Sequence, residues 1–461
     1  MTSMRMRPLN AVWLMMDSAD TPMHVGVLAT FQKPRNAPED YLSRWADQMR
    51  EFQQPAAPWG YRLDRGRGPS LVPRLEEEQE FDLEYHFRHT ALPEPGGERE
   101  LGVVVSRLHS KPLDQSMPLW EFHLIEGLER DRFAFYVKMH HALIGSVNGI
   151  DTVLSHLSTS SRSRNMPPLW AQPLDSSDWA DEDTGGDSPL GPVEAVASAG
   201  KAAAGLVRNA LRNRGGGRLP WLSGIPRSTL NRRINSQRRF ATQQFEEARI
   251  QRVADATDST LNDILAYLCG SSLRRFFKEY NALPDRPLIG VLPVSLREGD
   301  ERLPANAIAG LNIALGTHIA DPMARLAAVK ESMQGVREDR DSLPREAVTP
   351  YVLMRAAPIY ASQMPAVGGL VPLPFNLVVS NTPGPEEPVY FNGARLESIY
   401  PLSQLMQYSA LSVNCVSYAG TLNIGFTGAR DTLPHLQRLA VYLGQALVDL
   451  EEIVGIAEDA R

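Results

Sequence analysis

Two histidines stand side by side at His140 and His141, followed by Ala142-Leu143-Ile144-Gly145-Ser146-Val147-Asn148-Gly149. Histidine titrates near neutrality, so a neutral imidazole within hydrogen-bond reach of a hydroxyl can take its proton as the oxygen attacks a carbonyl. One ring is enough for that task, and adjacent side chains at the end of a strand point to opposite sides, so only one can face a given cleft. Metal binding is the rival use of such a pair. Neighbouring positions do not easily share one ion, however, and no third ligand lies nearby in sequence. From spacing alone a purely structural pair is the simpler reading.

The elements that must position the pair are read from periodicity. Residues 122–125 and 133–139 are apolar or alternating runs separated by the polar stretch Glu126-Gly127-Leu128-Glu129-Arg130-Asp131, a hairpin whose second strand ends at the histidines. From Ser146, a candidate N-cap, Val147, Ile150, Val153, Leu154 and Leu157 recur at helical spacing. The pair therefore belongs to a strand-to-helix junction, held by rigid elements and open to a cleft. Upstream, residues 25–31 have strand composition and 41–49 look helical, while 98–110 carry Leu101, Val104, Val105 and Leu108 at helical spacing. Downstream, Thr260 caps a helix with Leu261, Ile264, Leu265, Leu268 and Leu273 inward. Residues 288–292, 306–315, 375–379, 412–416 and 422–426 read as strands, the last two joined at Tyr418-Ala419-Gly420-Thr421, and a closing helix runs from about 432 to 452.

A chain of 461 residues with 43% apolar and 22% charged side chains is globular and too long for one ordinary core. Two mixed α/β units are expected, 1–160 with the histidines and 239–461, joined by a partly helical linker over 161–238. That linker is Ala-rich over 193–211, broken at Gly215-Gly216-Gly217, and then basic. Arg208, Arg212, Arg214, Arg218, Arg227, Arg232, Arg233, Arg238 and Arg239 make it either a surface for anionic lipid or a solvated connector. A formal charge of -7 argues against a nucleic-acid partner. Cys269 and Cys415, without metal-ligand spacing, indicate neither a disulfide framework nor a zinc site. No run approaches the ~18 to 20 apolar residues of a membrane span and no signal peptide is evident, so a cytoplasmic protein is expected, with peripheral contact to a membrane or lipid inclusion open to it.

Several short strings accompany the histidines in order: Pro22-Met23-His24-Val25-Gly26, Pro118-Leu119-Trp120-Glu121, Asn262-Asp263 and Ser380-Asn381-Thr382-Pro383-Gly384-Pro385. With the pair, they make the chain resemble, over nearly its whole length, the bacterial wax ester synthase/acyl-CoA:diacylglycerol acyltransferase family, whose signature is HHxxxDG. The resemblance implies two chloramphenicol-acetyltransferase-like domains with a tunnel between them. It implies His141 as general base and His140 as its positioning neighbour. Acyl-CoA is then a co-substrate, no cofactor is needed, and the acceptor is a fatty alcohol or diacylglycerol. It also carries over Asn262, Asp263, Ser380, Asn381 and Gly384 as substrate-binding positions, Asn262 being a candidate oxyanion donor as well as a candidate helix-terminal residue. Trp120 reads as core packing.

The chain departs from the signature where the family's Asp-Gly is replaced by Gly145-Ser146. In the family that aspartate looks structural, so its loss is expected to loosen the site, with Ser146 or Asn148 substituting in part. Two alternatives follow: a degenerate member that binds acyl-CoA or lipid with little turnover, and a condensation-type enzyme acting on carrier-bound acyl groups or amines.

Overall fold

The computed structural model describes residues 3–64, 73–144, 149–175, 179–181, 225–295, 308–341, 345–363 and 371–456. In chain order the elements begin with β1 (Ser3–Met6), α1 (Pro8–Met16), β2 (His24–Gln32), α2 (Tyr41–Arg50), β3 (Tyr61–Leu63), β4 (Arg74–Glu77), α3 (Leu83–His86) and β5 (Phe87–Ala91). Next come α4 (Glu98–Ser110), β6 (Trp120–Leu128), β7 (Arg132–His140), α5 (His141–Ile144), α6 (Gly149–Leu154) and β8 (Ala180–Asp181). The remainder holds β9 (Arg238–Glu246), α7 (Glu247–Ala256), α8 (Leu261–Glu279), β10 (Ile289–Ser295), β11 (Ile308–Ala314), α9 (Pro322–Asp341) and α10 (Arg345–Gln363). It closes with β12 (Leu377–Thr382), β13 (Tyr390–Phe391), β14 (Ala394–Leu402), β15 (Leu411–Tyr418), β16 (Thr421–Ala429) and α11 (Gln437–Val454).

These elements form two compact units, and the chain passes between them more than once. The first comprises Met1–Ala195, Ser236–Phe240 and Pro383–Gln404; the second comprises Val196–Asn235, Ala241–Thr382 and Leu405–Arg461. Single boundaries near 160 and 238 miss this interleaving. β14 is the reason: its residues alternate buried and exposed at first, and it pairs antiparallel with β2 in the first unit's sheet. Both units are mixed α/β.

The first unit's main sheet has the order β13-β14-β2-β7-β6-β5. β6 and β7 form the antiparallel hairpin that the polar stretch around Gly127 requires, and a smaller sheet runs β3-β4-β1-β8. α4 covers one face of the main sheet. Its Leu101 and Val105 pack with Leu28, Ile125, Ala134 and Tyr136. Serines near its C-terminal end, Ser106 and Ser110, accept from the backbone N–H groups of Phe240 and Arg238 at 3.0 and 2.8 Å. Arg238, one of the basic positions noted above, is accordingly buried in this unit.

The second unit's sheet has the order β11-β10-β12-β15-β16-β9, with β10, β12 and β15 parallel to one another. Its β15–β16 hairpin turns through Ala419 and Gly420, both at positive φ, the conformation a two-residue turn needs to match strand twist. α8 is capped by Thr260, whose hydroxyl accepts from Asp263 N–H while the Asp263 carboxylate accepts from Thr260 N–H. Residues 145–148, 182–224 and the other gaps between the described ranges include Gly145, Ser146, Asn148 and the arginines at 208, 212, 214 and 218, so those expectations lie outside the described residues.

Candidate active site

β7 delivers the histidine pair, and two of the short sequence strings hold its end. His140 is the last residue of β7 and pairs across the sheet with His24 of β2. Its N–H donates to the Leu119 carbonyl and the N–H of His141 donates to the Met23 carbonyl, both at 2.9 Å. The strand stops there because His141 opens the short helix α5.

The two rings have different surroundings. His140 is 1% exposed; its Nδ1 accepts from Ala142 N–H at 3.1 Å, which leaves Nε2 as the protonated nitrogen of the neutral ring. That nitrogen lies 3.7 Å from Asp17 Oδ2, too far for a hydrogen bond and close enough for charge to act. Asp17 also accepts from Met23 N–H and from the Gln115 amide, each at 2.8 Å. Burial works against the Asp17 charge, yet His140 and these donors hold its carboxyl below the usual carboxylate range.

His141 is half-buried. Trp13 of α1 lies flat on its ring, with centroids 3.9 Å apart and planes 11° from parallel. Its Nδ1 meets no hydrogen-bond partner among the described residues. Burial pushes the imidazole down to about 4, its own backbone carbonyl acts the other way, and His140 adds to the fall. The ring is therefore neutral throughout the physiological range, ready to accept a proton. Such a weak base works best where the proton transfer creates a neighbouring anion that stabilises the imidazolium, as in attack on a carbonyl.

Behind the pair, the same strand buries an unusual set of polar groups. Lys138 Nζ, fully buried, contacts Glu121 Oε2 at 3.0 Å and donates to the carbonyls of Lys111 and Leu108 at 3.0 and 3.3 Å, using all three of its protons. Although burial opposes its charge, Glu121 is held down at about 2 by a hydrogen bond from His123 and by Lys138. His109 Nε2 donates to the Ser403 carbonyl at 3.2 Å, so its Nδ1 accepts from Tyr136 Oη at 2.8 Å. His24 Nε2 donates to the His109 carbonyl at 2.9 Å. Pro-Leu-Trp-Glu thus supplies an ion-pair partner through Glu121 and core packing through Trp120, whose buried indole donates to Trp59 O at 2.7 Å.

In the second unit the structure brings two of the carried-over residues together: the Asn381 amide donates to Asn262 Oδ1 at 2.9 Å, both side chains being exposed. Ser380 is half-buried on β12, opposite Asn414 of β15. Asp263 is buried, with one oxygen in the α8 cap and the other 3.3 Å from Arg337. Gly384, in the turn after β12, is counted with the first unit. Asn10, Trp13 and Asp17 escaped the sequence reading, although their spacing of three and four after Pro8 is a helical face that could have been recognised.

A structure from Marinobacter aquaeolei, a wax ester synthase/diacylglycerol acyltransferase, superposes with a TM-score of 0.80 at 33% identity, covering 98% of this chain and 100% of that one. The first condensation domain of the calcium-dependent antibiotic synthetase shares the fold alone, with a TM-score of 0.54 at 14% identity. Fold and histidine site define the class: this is an acyltransferase. Residues 6–265 match the family model of the wax ester synthase/diacylglycerol acyltransferase catalytic domain and residues 305–451 that of its C-terminal domain. A Mycobacterium tuberculosis protein that carries a diacylglycerol O-acyltransferase name is 39% identical, with 99% of each chain covered. O-acyltransferase WSD of Acinetobacter baylyi is 32% identical, again with 99% of each covered. The chain belongs to the wax ester synthase/diacylglycerol acyltransferase family.

Proposed function

We propose that this acyltransferase moves a fatty acyl group from acyl-CoA to the hydroxyl of a long-chain alcohol or a diacylglycerol, releasing CoA and forming a wax ester or triacylglycerol. His141 takes the hydroxyl proton as the oxygen attacks the thioester carbonyl. The tetrahedral oxyanion collapses, the C–S bond breaks, and the proton passes from the imidazolium to the CoA thiolate. The observation that carries this reading is the neutral, half-buried ring of His141 at the end of β7, whose Nδ1 meets no hydrogen-bond partner among the described residues. Asn262, Ser380, Asn381 and Gly384 are the proposed substrate contacts elsewhere in the chain, Asn262 and Asn381 offering amides at the surface of the second unit. Asp263 belongs to the same string and supports it through the cap of α8.

No helix among the described residues is long and apolar enough to cross a membrane. Contact with anionic lipid through the basic stretch around residue 212 belongs to the same proposal, since the acceptors are themselves lipids. The test is transfer of radiolabelled acyl-CoA to hexadecanol, diacylglycerol and a long-chain amine, with wild type and His141→Ala side by side. Ester formation with an alcohol, lowered ~100- to 10,000-fold by His141→Ala, is expected. Amide as the main product, or turnover that survives His141→Ala at saturating substrates, overturns the reading.

A further inference from the structure

α1 starts at Pro8, which suits a first helical position where its missing N–H costs nothing, and ends against Asp17 in extended backbone. A carboxylate at the C-terminal end of a helix runs against the helix dipole, so its place there calls for partners elsewhere. Met23 N–H, the Gln115 amide and the His140 ring, whose Nε2 lies 3.7 Å away, are those partners. Spacings of three and four put Asn10, Trp13 and Asp17 on one side of the helix. Along that side the Asn10 amide donates to the Ala142 carbonyl at 3.1 Å, Trp13 stacks on His141, and Asp17 faces His140. Residues 142, 141 and 140 are thus met in order by one helix face.

We infer that α1 is the splint of the catalytic base, with Trp13 and Asp17 as positioning residues: Trp13 sets the plane of the His141 ring and Asp17 steadies His140 beside it. The inference rests on His141 being the base. Rotation of an imidazole about its second side-chain torsion is broad, and among the described residues no hydrogen-bond partner holds Nδ1. A flat indole at 3.9 Å removes that freedom without consuming a ring nitrogen. Asp17 supplies a carboxylate to the pair from a distant part of the chain, while position 145 carries glycine. Through Met23 the two devices are joined, because its N–H binds Asp17 and its carbonyl receives His141 N–H.

The test uses the full-length protein with acyl-CoA and hexadecanol. Trp13→Leu keeps bulk but loses the flat face, Trp13→Phe restores a flat face, and Asp17→Asn keeps the acceptor for Met23 N–H while removing the charge. Trp13→Leu is expected to lower kcat roughly 10- to 100-fold, the cost of a misplaced catalytic group, with the KM for both substrates within about twofold. Trp13→Phe should recover most of that loss, and Asp17→Asn should lower kcat about 10-fold with the same unchanged KM. Thermal melting alongside separates this from a folding defect. Wild-type kcat in both Trp13→Leu and Asp17→Asn overturns the inference. So does an equal loss when Trp13→Leu is added to His141→Ala, because a residue that acts only through His141 has nothing left to position there. Turnover retained by His141→Ala fells the base and the splint together; an inactive His141→Ala with normal Trp13→Leu and Asp17→Asn fells the splint alone.

Discussion

Along β7 both faces of the first unit's main sheet are buried, and the side chains that the strand sends to each face are held by opposite means. On one face β7 places Phe133, Phe135, Val137 and Met139 against Phe31 and Val27 of β2 and Phe122 of β6, with Trp45 of α2 and Phe391 of β13 packed on them. On the other it places Tyr136, Lys138 and His140 beside Glu121 and His123 of β6 and His24 of β2, under His109 of α4. Dispersion contacts on the first face have no required partner. Each group on the second does have one, and losing it strands a buried charge or donor. The difference teaches what fixes register. A slip of one residue would carry Lys138 in among the phenylalanines, so the polar face forbids it and holds the strand end that delivers the histidines in one place.

Breaking the buried pair should give the largest effect on stability. Lys138→Met leaves the Glu121 carboxylate without its main counter-charge and is expected to cost about 3–5 kcal/mol, whereas adding Glu121→Leu should recover most of it. Denaturant midpoints of the two variants check this; equal midpoints would mean that the polar face is no more partner-dependent than the apolar one. A smaller loss is expected where the polar face is crowded. A Cβ on Gly26 would sit 2.8 Å from Tyr136 Cε2 and 3.2 Å from His109 Nδ1, two rings tied to each other by a hydrogen bond. Gly26→Ala should therefore cost about 1–3 kcal/mol, read as a fall in Tm, and a neutral result would show that the rings yield.

The smallest effect is pH-dependent and concerns two histidines of the polar face, His24 and His109. Burial lowers His24 well below its ordinary value and His109 to about 3, so the unfolded chain takes these protons first. Stability is then whole above the unfolded value of ~6.5 and declines as pH falls toward 3. Glu121, held at about 2, adds a second loss as pH falls from about 4.5 toward 2. His109→Gln, which retains a donor for Ser403 and an acceptor for Tyr136, should remove on the order of 1 kcal/mol of the decline near pH 6. A melting profile with unaltered slope between pH 7 and 5 would count against a neutral His109 in the folded protein.

Much of this site is legible in the sequence because its signals are local. Alternation over 133–139 sorts one strand into two faces, Gly127 marks the hairpin, Thr260 with Asp263 marks a helix start, and the histidine pair with its companion strings marks the family. The same alternation, however, says only that Lys138 and Tyr136 share a side. It does not say that both sides are buried, because a lysine in a strand ordinarily reads as solvent-facing. Glu121, His109 and His24, which make that burial tolerable, are brought in by α4 and the strands paired with β7.

The rest was decided by tertiary structure alone. A helical stripe at Asn10, Trp13 and Asp17 can be read in the chain, but its counterpart lies more than a hundred residues away at 140–142, and periodicity encodes which face is buried without naming its partner. β14 illustrates the same limit: residues 394–402 are not among the strands expected from the sequence, and nothing local says that they belong to the first unit's sheet beside β2. The sequence by itself determined many of the elements and the histidine pair, which are written in residue type and short spacing, and it reached the class of chemistry through the family that its strings resemble. Which ring is held by hydrogen bonds and which by an indole was settled only when folding closed those long loops, because contacts between distant segments depend on where whole elements pack.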